Sequence, residues 1–302
     1  MSATTKRKGR GKSQASLELI EASHEILAQI QPASVRAVCY RLFTLGLLPD
    51  MSKNATNRVS TQLVYAREQG IIPWEWVVDE TREAERVSTW NNPDEIINAA
   101  VRGYRRDYWQ DQPVRVEVWS EKGTVRGTLA PVLQEYGVTF RVMHGFASAT
   151  ALNTIAEASN ASDKPLYALY AGDYDPSGLF MSEVDLPERL QRYGGQVNLR
   201  RVALLARDTQ GLPYFDAQTK AKDGRYAWYC ERYGRRCWEL DAMPPPLLRQ
   251  RVEAEIRRHI LLDRWERAVE VERAEVDSMA SFLQTWQSNV RHATKYSPKA
   301  GG

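Results

Sequence analysis

Tyr170-Ala171-Gly172-Asp173-Tyr174-Asp175-Pro176-Ser177-Gly178 sets two carboxylates one residue apart, between an apolar run from Leu166 to Ala171 and a turn built on Pro176 and Gly178. This reads as a β-strand that delivers paired acids to its C-terminal end. In an open α/β sheet, ligands bind in the crevice beyond the carboxyl ends of the strands. Hard divalent cations such as Mg2+ take one or two carboxylates together with waters and substrate phosphates. The stretch therefore predicts a metal site at the edge of an α/β sheet.

Upstream, Val114 to Trp119 alternates apolar and polar residues, a strand signature that ends at Ser120-Glu121-Lys122-Gly123. A helical pattern follows (Val125, Leu129, Val132, Leu133, Tyr136), closed by Gly137, and Val138 to Met143 reads as a second strand leading to His144. A short helix through Leu152 and Ile155 returns the chain to the opening stretch, and Val197 to Leu205 supplies a fourth strand. Alternating strands and helices predict a parallel sheet with right-handed crossovers. Parallel strands end at one edge, so Glu121 joins Asp173 and Asp175 as a candidate metal ligand.

The N-terminal part reads as helical. Residues 1–13 form a basic arm expected to be disordered, and Leu17, Ile20, Leu27 and Ile30 mark a first helix ending before Pro32. Ser34 is the expected N-cap of a second helix whose apolar face is Val35, Val38, Leu42 and Leu45. On that helix Arg36 and Tyr40, four residues apart, are neighbours off the apolar stripe and form an exposed pair. A third helix, from about Thr56 to Gln69, buries Val59, Leu63 and Ala66 and shows Arg58, Gln62 and Arg67. The stretch from Ile71 to Val78 then looks extended. Three helices and a strand are compatible with a winged helix-turn-helix.

Residues 83–112 read as a connecting helix. From Tyr214 to Trp238 aromatic and basic residues interleave, including Lys220, Arg225, Trp228, Arg232 and Arg236, a composition suited to base stacking and phosphate contact or to a packed aromatic surface. Cys237 to Asp241 is a candidate short strand carrying the acids Glu239 and Asp241, and a last helical region runs from Leu247 towards Val290.

Composition narrows the class. The 302 residues suit about two domains. With 41 Lys and Arg against 38 Asp and Glu, any affinity for nucleic acid rests on local patches rather than net charge. Cys39, Cys230 and Cys237 lack the spacing of a disulfide framework or a structural zinc site. No apolar run approaches the roughly 18 residues of a membrane span, and the basic N-terminus lacks the apolar core of a signal peptide. The expectation is a cytoplasmic, nucleoid-associated protein with no membrane partner.

The segments Val116-Glu117-Val118-Trp119-Ser120-Glu121-Lys122 and Gly172-Asp173-Tyr174-Asp175-Pro176-Ser177-Gly178 resemble the glutamate and Asp-x-Asp motifs of the Toprim domain, the metal-binding module of topoisomerases and primases. Asp175-Pro176-Ser177-Gly178 is similar to the A subunit of type IIB topoisomerases and its meiotic double-strand-break relatives. In that family a winged helix carrying a nucleophilic tyrosine precedes the Toprim domain. Ser34-Val35-Arg36-Ala37-Val38-Cys39-Tyr40-Arg41 resembles the tyrosine motif, with Tyr40 in the nucleophile's place and Cys39 where an aromatic residue is common.

The resemblance implies an α/β chain with an N-terminal winged-helix domain (14–90), a connector (91–112), a Rossmann-like Toprim domain (113–245) and a C-terminal helical segment (246–302). It implies cleavage of double-stranded DNA through a 5'-phosphotyrosyl link, with Tyr40 and Arg36 catalytic and Glu121, Asp173 and Asp175 holding Mg2+, or Mn2+ in its place. Arg58, Arg67, Lys122, His144, Arg225 and Arg232 are the expected DNA contacts. It further implies a homodimer, with the tyrosine of one subunit meeting the metal of the other, and a separate ATPase partner. A hydrolytic Toprim nuclease, in which water attacks and Tyr40 only packs, and a non-catalytic winged-helix DNA-binding protein are the alternatives. Lys122 as a turn cap and His144 as a structural residue are the plainer readings of those two positions.

Overall fold

The structure, a computed structural model, describes residues 12–78, 89–143 and 149–295. Its contacts divide the chain into two units, Met1–Glu80 with Val116–Arg258, and Thr81–Arg115 with His259–Gly302. No helix among the described residues is long and apolar enough to cross a membrane.

The first unit begins with three helices: α1 (Gln14–Ile30), α2 (Val35–Thr44) and α3 (Lys53–Glu68). Leu19, Ile20, Ser23, Ile26, Leu27 and Ile30 lie on the buried face of α1, the three-and-four spacing of an amphipathic helix. Ser34 caps α2 as expected, accepting the Ala37 N–H at 3.1 Å. Ser52 does the same for α3 through Ala55, so that helix starts three residues before the predicted Thr56. Lys12, placed in the disordered arm by sequence, is anchored: its ammonium donates to Gln62 at 2.7 Å and lies 4.0 Å from the centre of the Tyr65 ring.

Two details depart from expectation. The predicted strand 71–78 shrinks to β2 (Val77–Val78), because Pro73 starts a 3-10 turn over Trp74–Trp76. β2 pairs in parallel with β1 (Ala33–Ser34). Helices and this two-residue pairing are what the described residues supply of the expected winged helix, and 79–88 lie outside them. Leu45, assigned to the apolar face of α2, is 58% exposed.

α4 (Pro93–Gly103) belongs to the second unit. The α/β part runs β3 (Arg115–Ser120), α5 (Thr124–Tyr136), β4 (Thr139–Val142), α6 (Ala149–Asn160), β5 (Leu166–Ala171), α7 (Pro176–Phe180), a π turn through Asp185, α8 (Leu186–Arg192) and β6 (Val197–Ala203). The four strands form one parallel sheet in the order β4-β3-β5-β6. Trp119, Leu166, Ala168 and Tyr170 of the two central strands pack with Leu152 and Ile155 of α6 and with Leu186 and Leu190 of α8 in one core cluster. Strand order reverses between β3 and β5, so the ends of these two central strands flank the crevice where α/β sheets bind ligands.

Beyond β6, β7 (Phe215–Asp216) pairs antiparallel with β8 (Arg236–Cys237), with α9 (Tyr226–Tyr233) between them in sequence. The predicted strand Cys237–Asp241 turns after Cys237 into a 3-10 turn at Leu240–Ala242, which packs against α2. α10 (Pro245–Arg257) packs on α5, and its Arg249 donates to the carbonyls of Ile30, Gln31, Pro32 and Thr128 at 3.1 to 3.2 Å. A Cβ on Gly127 of α5 would stand 2.3 Å from a Val78 methyl, so only glycine allows this approach of α5 to β2. These contacts make the helical trio and the sheet one packed body.

The second unit is built on α11 (Leu262–Lys295) and α4. Tyr104 donates to Glu275 at 2.6 Å, Arg106 pairs with the same carboxylate at 2.7 Å, and Trp265 packs edge-on against Tyr108 and Trp109. The expected connecting helix over 83–112 is thus α4 and a separate 3-10 turn at Tyr108–Asp111, with 83–88 outside the described residues. The C-terminal helical region is two helices, broken where Gln112 accepts the Leu261 N–H at 2.8 Å and donates to its carbonyl at 3.3 Å.

Candidate active site

Glu121 follows β3 directly, and Asp173 lies two residues beyond β5. The turn after β5 is fixed by backbone constraints. Asp175 caps α7, accepting the Gly178 N–H at 2.8 Å, and a Cβ on Gly178 would come within 2.3 Å of the Asp173 carbonyl oxygen. Gly172 is similarly confined, by the Tyr170 ring. Beneath the turn the Arg201 guanidinium donates to the carbonyls of Gly172, Asp173, Gly178 and Leu204 and to the Ser182 hydroxyl. Burial pulls the Arg201 pKa down, a cost offset by these acceptors.

Around the turn, charges alternate. Asp173 accepts the Leu240 N–H at 2.7 Å and faces the Lys122 ammonium at 2.9 Å. Lys122 also meets Asp241 at 3.0 Å and Glu239 at 4.0 Å. Asp175 faces Lys220 at 3.3 Å. Ser34 donates to Asp241, and Arg36 grips Glu239 with two N–H groups. The same guanidinium lies 5.8 Å from the centre of the Tyr40 ring. A continuous set of contacts therefore runs from Tyr40 through Arg36, Glu239 and Lys122 to Asp173, inside one chain.

Electrostatics mark the acids as a group. Glu121 is pushed above the usual carboxylate range by burial, then by the charges of Asp173 and Asp175. Asp173 is pushed up by burial and Asp175, against the pull of Lys122. Asp241 goes the other way: burial would raise it, but Lys122, Ser34 and Arg36 hold it low. Burial of Lys122 is outweighed by Asp173, Asp241 and Glu239, which keep it protonated. Tyr40 is raised by burial and by Glu239, while Arg36 and Lys122 pull it back. At rest it is a neutral phenol.

Tyr40 is buried at 5% exposure, so the exposed pair expected from helix spacing is half right: only Arg36 reaches solvent. Burial follows from the Leu240–Ala242 turn packed against α2, which local periodicity cannot register. Lys122 sits among the acids. Arg58 is exposed on α3, and Arg67 lies 4.2 Å from the centre of the Trp74 ring. Arg225 is held by Asp223 at 2.6 Å, whereas Arg232 is exposed beside Trp228. His144 lies outside the described residues. The sequence predicts Glu239 and Asp241 only as acids on a short strand and does not mark Arg201. The repeated acid-x-acid spacing of Glu239-Leu240-Asp241 was a signal for the first two, and nothing in the sequence of β6 distinguishes Arg201.

Among the described residues, no three His, Cys, Asp or Glu side chains are gathered as ligands around one point. The donor chemistry nevertheless fits a hard divalent cation: Glu121, Asp173 and Asp175 offer oxygen donors and repel one another, and Lys122 and Lys220 relieve that repulsion here. A divalent ion binding all three would take over the role of these ammonium groups. No family model matches the chain, and neither a curated protein nor a solved structure is significantly similar to it.

Proposed function

We propose that this chain cleaves double-stranded DNA by transesterification, with Tyr40 as nucleophile and Glu121, Asp173 and Asp175 as the residues that hold Mg2+ or Mn2+. The observation that carries this reading is the run of contacts joining Tyr40 and Arg36, through Glu239 and Lys122, to the acids at the strand ends. A bound divalent cation would supply charge to the phosphoryl and leaving oxygens. Tyr40 Oη forms the new bond to phosphorus as the bond to the 3'-oxygen breaks. Glu239 takes the phenol proton, and the 3'-oxygen leaves as a hydroxyl with a proton taken from solvent water, which the proton on Glu239 later replaces. Arg36 and Lys122 hold the phosphate by charge-assisted hydrogen bonds once it displaces their carboxylate partners.

This arrangement supports a site built within each chain. A homodimer then places two such sites on the two strands and yields a double-strand break, and a separate ATPase would be needed for strand passage. Burial of Tyr40 favours a second reading, hydrolysis by water at the same acids, with Tyr40 a packing residue. End-labelled duplex incubated with protein and Mg2+, then denatured, separates the two. Label retained on the protein and lost in Tyr40→Phe is the expected outcome; cleavage that survives Tyr40→Phe establishes the hydrolytic reading. Binding that persists with no cleavage, and that Glu121→Gln and Asp173→Asn leave intact, returns the chain to a non-catalytic DNA-binding role.

A further inference from the structure

Between Tyr214 and Trp228 runs a ridge of rings. Tyr214 meets Trp238, Trp238 meets Tyr174, Tyr174 meets Tyr233 and Tyr233 meets Trp228, each at centroid distances of 5.6 to 6.0 Å. Its middle member, Tyr174, stands between Asp173 and Asp175, and its backbone N–H and carbonyl pair with those of Trp238 at 2.8 and 2.9 Å. The ridge therefore crosses the acid turn itself. Tyr174 and Trp238 are buried, but the ends emerge: Tyr214 is 56% exposed and Trp228 half-buried.

Each end carries an arginine. The Arg236 guanidinium lies 4.5 Å from the centre of the Tyr214 ring, and Arg232 lies 5.2 Å from that of Trp228. Both arginines are exposed; Glu231 faces Arg232 at 3.5 Å. Lys220, at the end of a 3-10 turn (Ala217–Lys220) between Tyr214 and Trp228, reaches Asp175. A ring beside a guanidinium offers a base a stacking face and its phosphate a counter-charge. In a duplex the base faces are covered by their neighbours, so an exposed ring face contributes only where bases are unpaired.

We infer that the ridge ends at Tyr214–Arg236 and Trp228–Arg232 bind unpaired bases of a DNA strand on either side of the acid turn. The inference rests on the DNA reading above and gives it a substrate form, DNA with unpaired bases at the site. Fluorescence anisotropy with labelled oligo(dT) and with a duplex of equal length, both in EDTA, tests it without any bond being broken. Tyr214→Ala and Trp228→Ala are expected to weaken oligo(dT) binding by about tenfold each, the scale of one lost base stack, and to change duplex binding less than twofold. Tyr214→Phe, which keeps the ring, is expected to bind oligo(dT) like the unmodified chain. Equal weakening on both DNAs, unchanged oligo(dT) binding in the alanine variants, or no oligo(dT) binding by the unmodified protein overturns the inference. Failure to cleave in Mg2+ overturns the two cleavage readings and leaves this inference standing, because the stacking readout needs no cation.

Discussion

The turn after β5 and the first turns of α2 are joined through Glu239 and Lys122, and their side chains are held by opposite means. Asp173 and Asp175 are set by the backbone: a capped helix start, a glycine pressed against a carbonyl oxygen, and a buried guanidinium that ties four carbonyls together. Ser34 and Arg36 are set by side-chain pairs to residues some two hundred positions away, Asp241 and Glu239, and Tyr40 lies beside the Arg36 guanidinium. A backbone-built site is rigid and stays in place when charges change. One built on ion pairs can exchange partners, which is what the proposed turn from a carboxylate to a phosphate requires.

The largest expected effect lies on the backbone-built side. Arg201→Ala strands several buried carbonyls, each costing about 1–3 kcal/mol if left unsatisfied. A total loss of at least about 3 kcal/mol in denaturant unfolding is expected. A loss below about 1 kcal/mol would show that water or a shifted loop replaces the guanidinium, and the contrast would fail. Gly178→Ala comes next, at about 1–3 kcal/mol, the usual range for forcing extra volume into a tight contact. Gly103→Ala is its control, because nothing lies within 4 Å of the added methyl and alanine is the better helix former. That variant should unfold at an unchanged or slightly higher denaturant concentration.

The ion-paired side should be weaker. Arg36 is 41% exposed, so solvent screens its pairing with Glu239. A double-mutant cycle of Arg36→Gln and Glu239→Gln is expected to give a coupling of about 1 kcal/mol, reduced by added salt. Coupling of several kcal/mol, insensitive to salt, would make the two sides equally rigid and remove the basis for partner exchange.

This difference also decides what could be read from the sequence. β5 was located at its observed ends, Leu166 to Ala171, because a central parallel strand is a continuous apolar run. The Ser34 cap and the glutamate after β3 were legible for the same reason, since each is a local pattern. The exposure expected for Tyr40 fails in a structure where the turn at residues 240–242 packs on its helix, and helix periodicity says nothing about a partner that distant. Cys237 to Asp241 failed as a strand because the Leu240 N–H goes to the Asp173 carboxylate rather than to a ladder. Arg201 stands mid-strand beside Arg200, and only the loop folded over it makes one of the two a buried anchor.

The smallest effect concerns the sign of the acids' contribution to stability. Glu121 is half-buried and raised above its unfolded value, by burial first and by Asp173 and Asp175 next. Between its unfolded and folded pKa values the native state binds more protons, so stability falls as pH rises through that window. Asp241 is lowered by Lys122, Ser34 and Arg36 despite burial, so its contribution is present above its unfolded pKa and is lost as pH falls. Glu121→Gln removes the first term alone. It should raise the melting temperature modestly at neutral pH, and the gain should vanish in acid, where Glu121 is already protonated. Asp241→Asn should lower the melting temperature at neutral pH, with the deficit shrinking in acid. If instead Glu121→Gln is destabilising at neutral pH, the glutamate is held by a favourable partner, and the acids would not keep the repulsion, beyond what Lys122 and Lys220 relieve, that a divalent cation is proposed to neutralise.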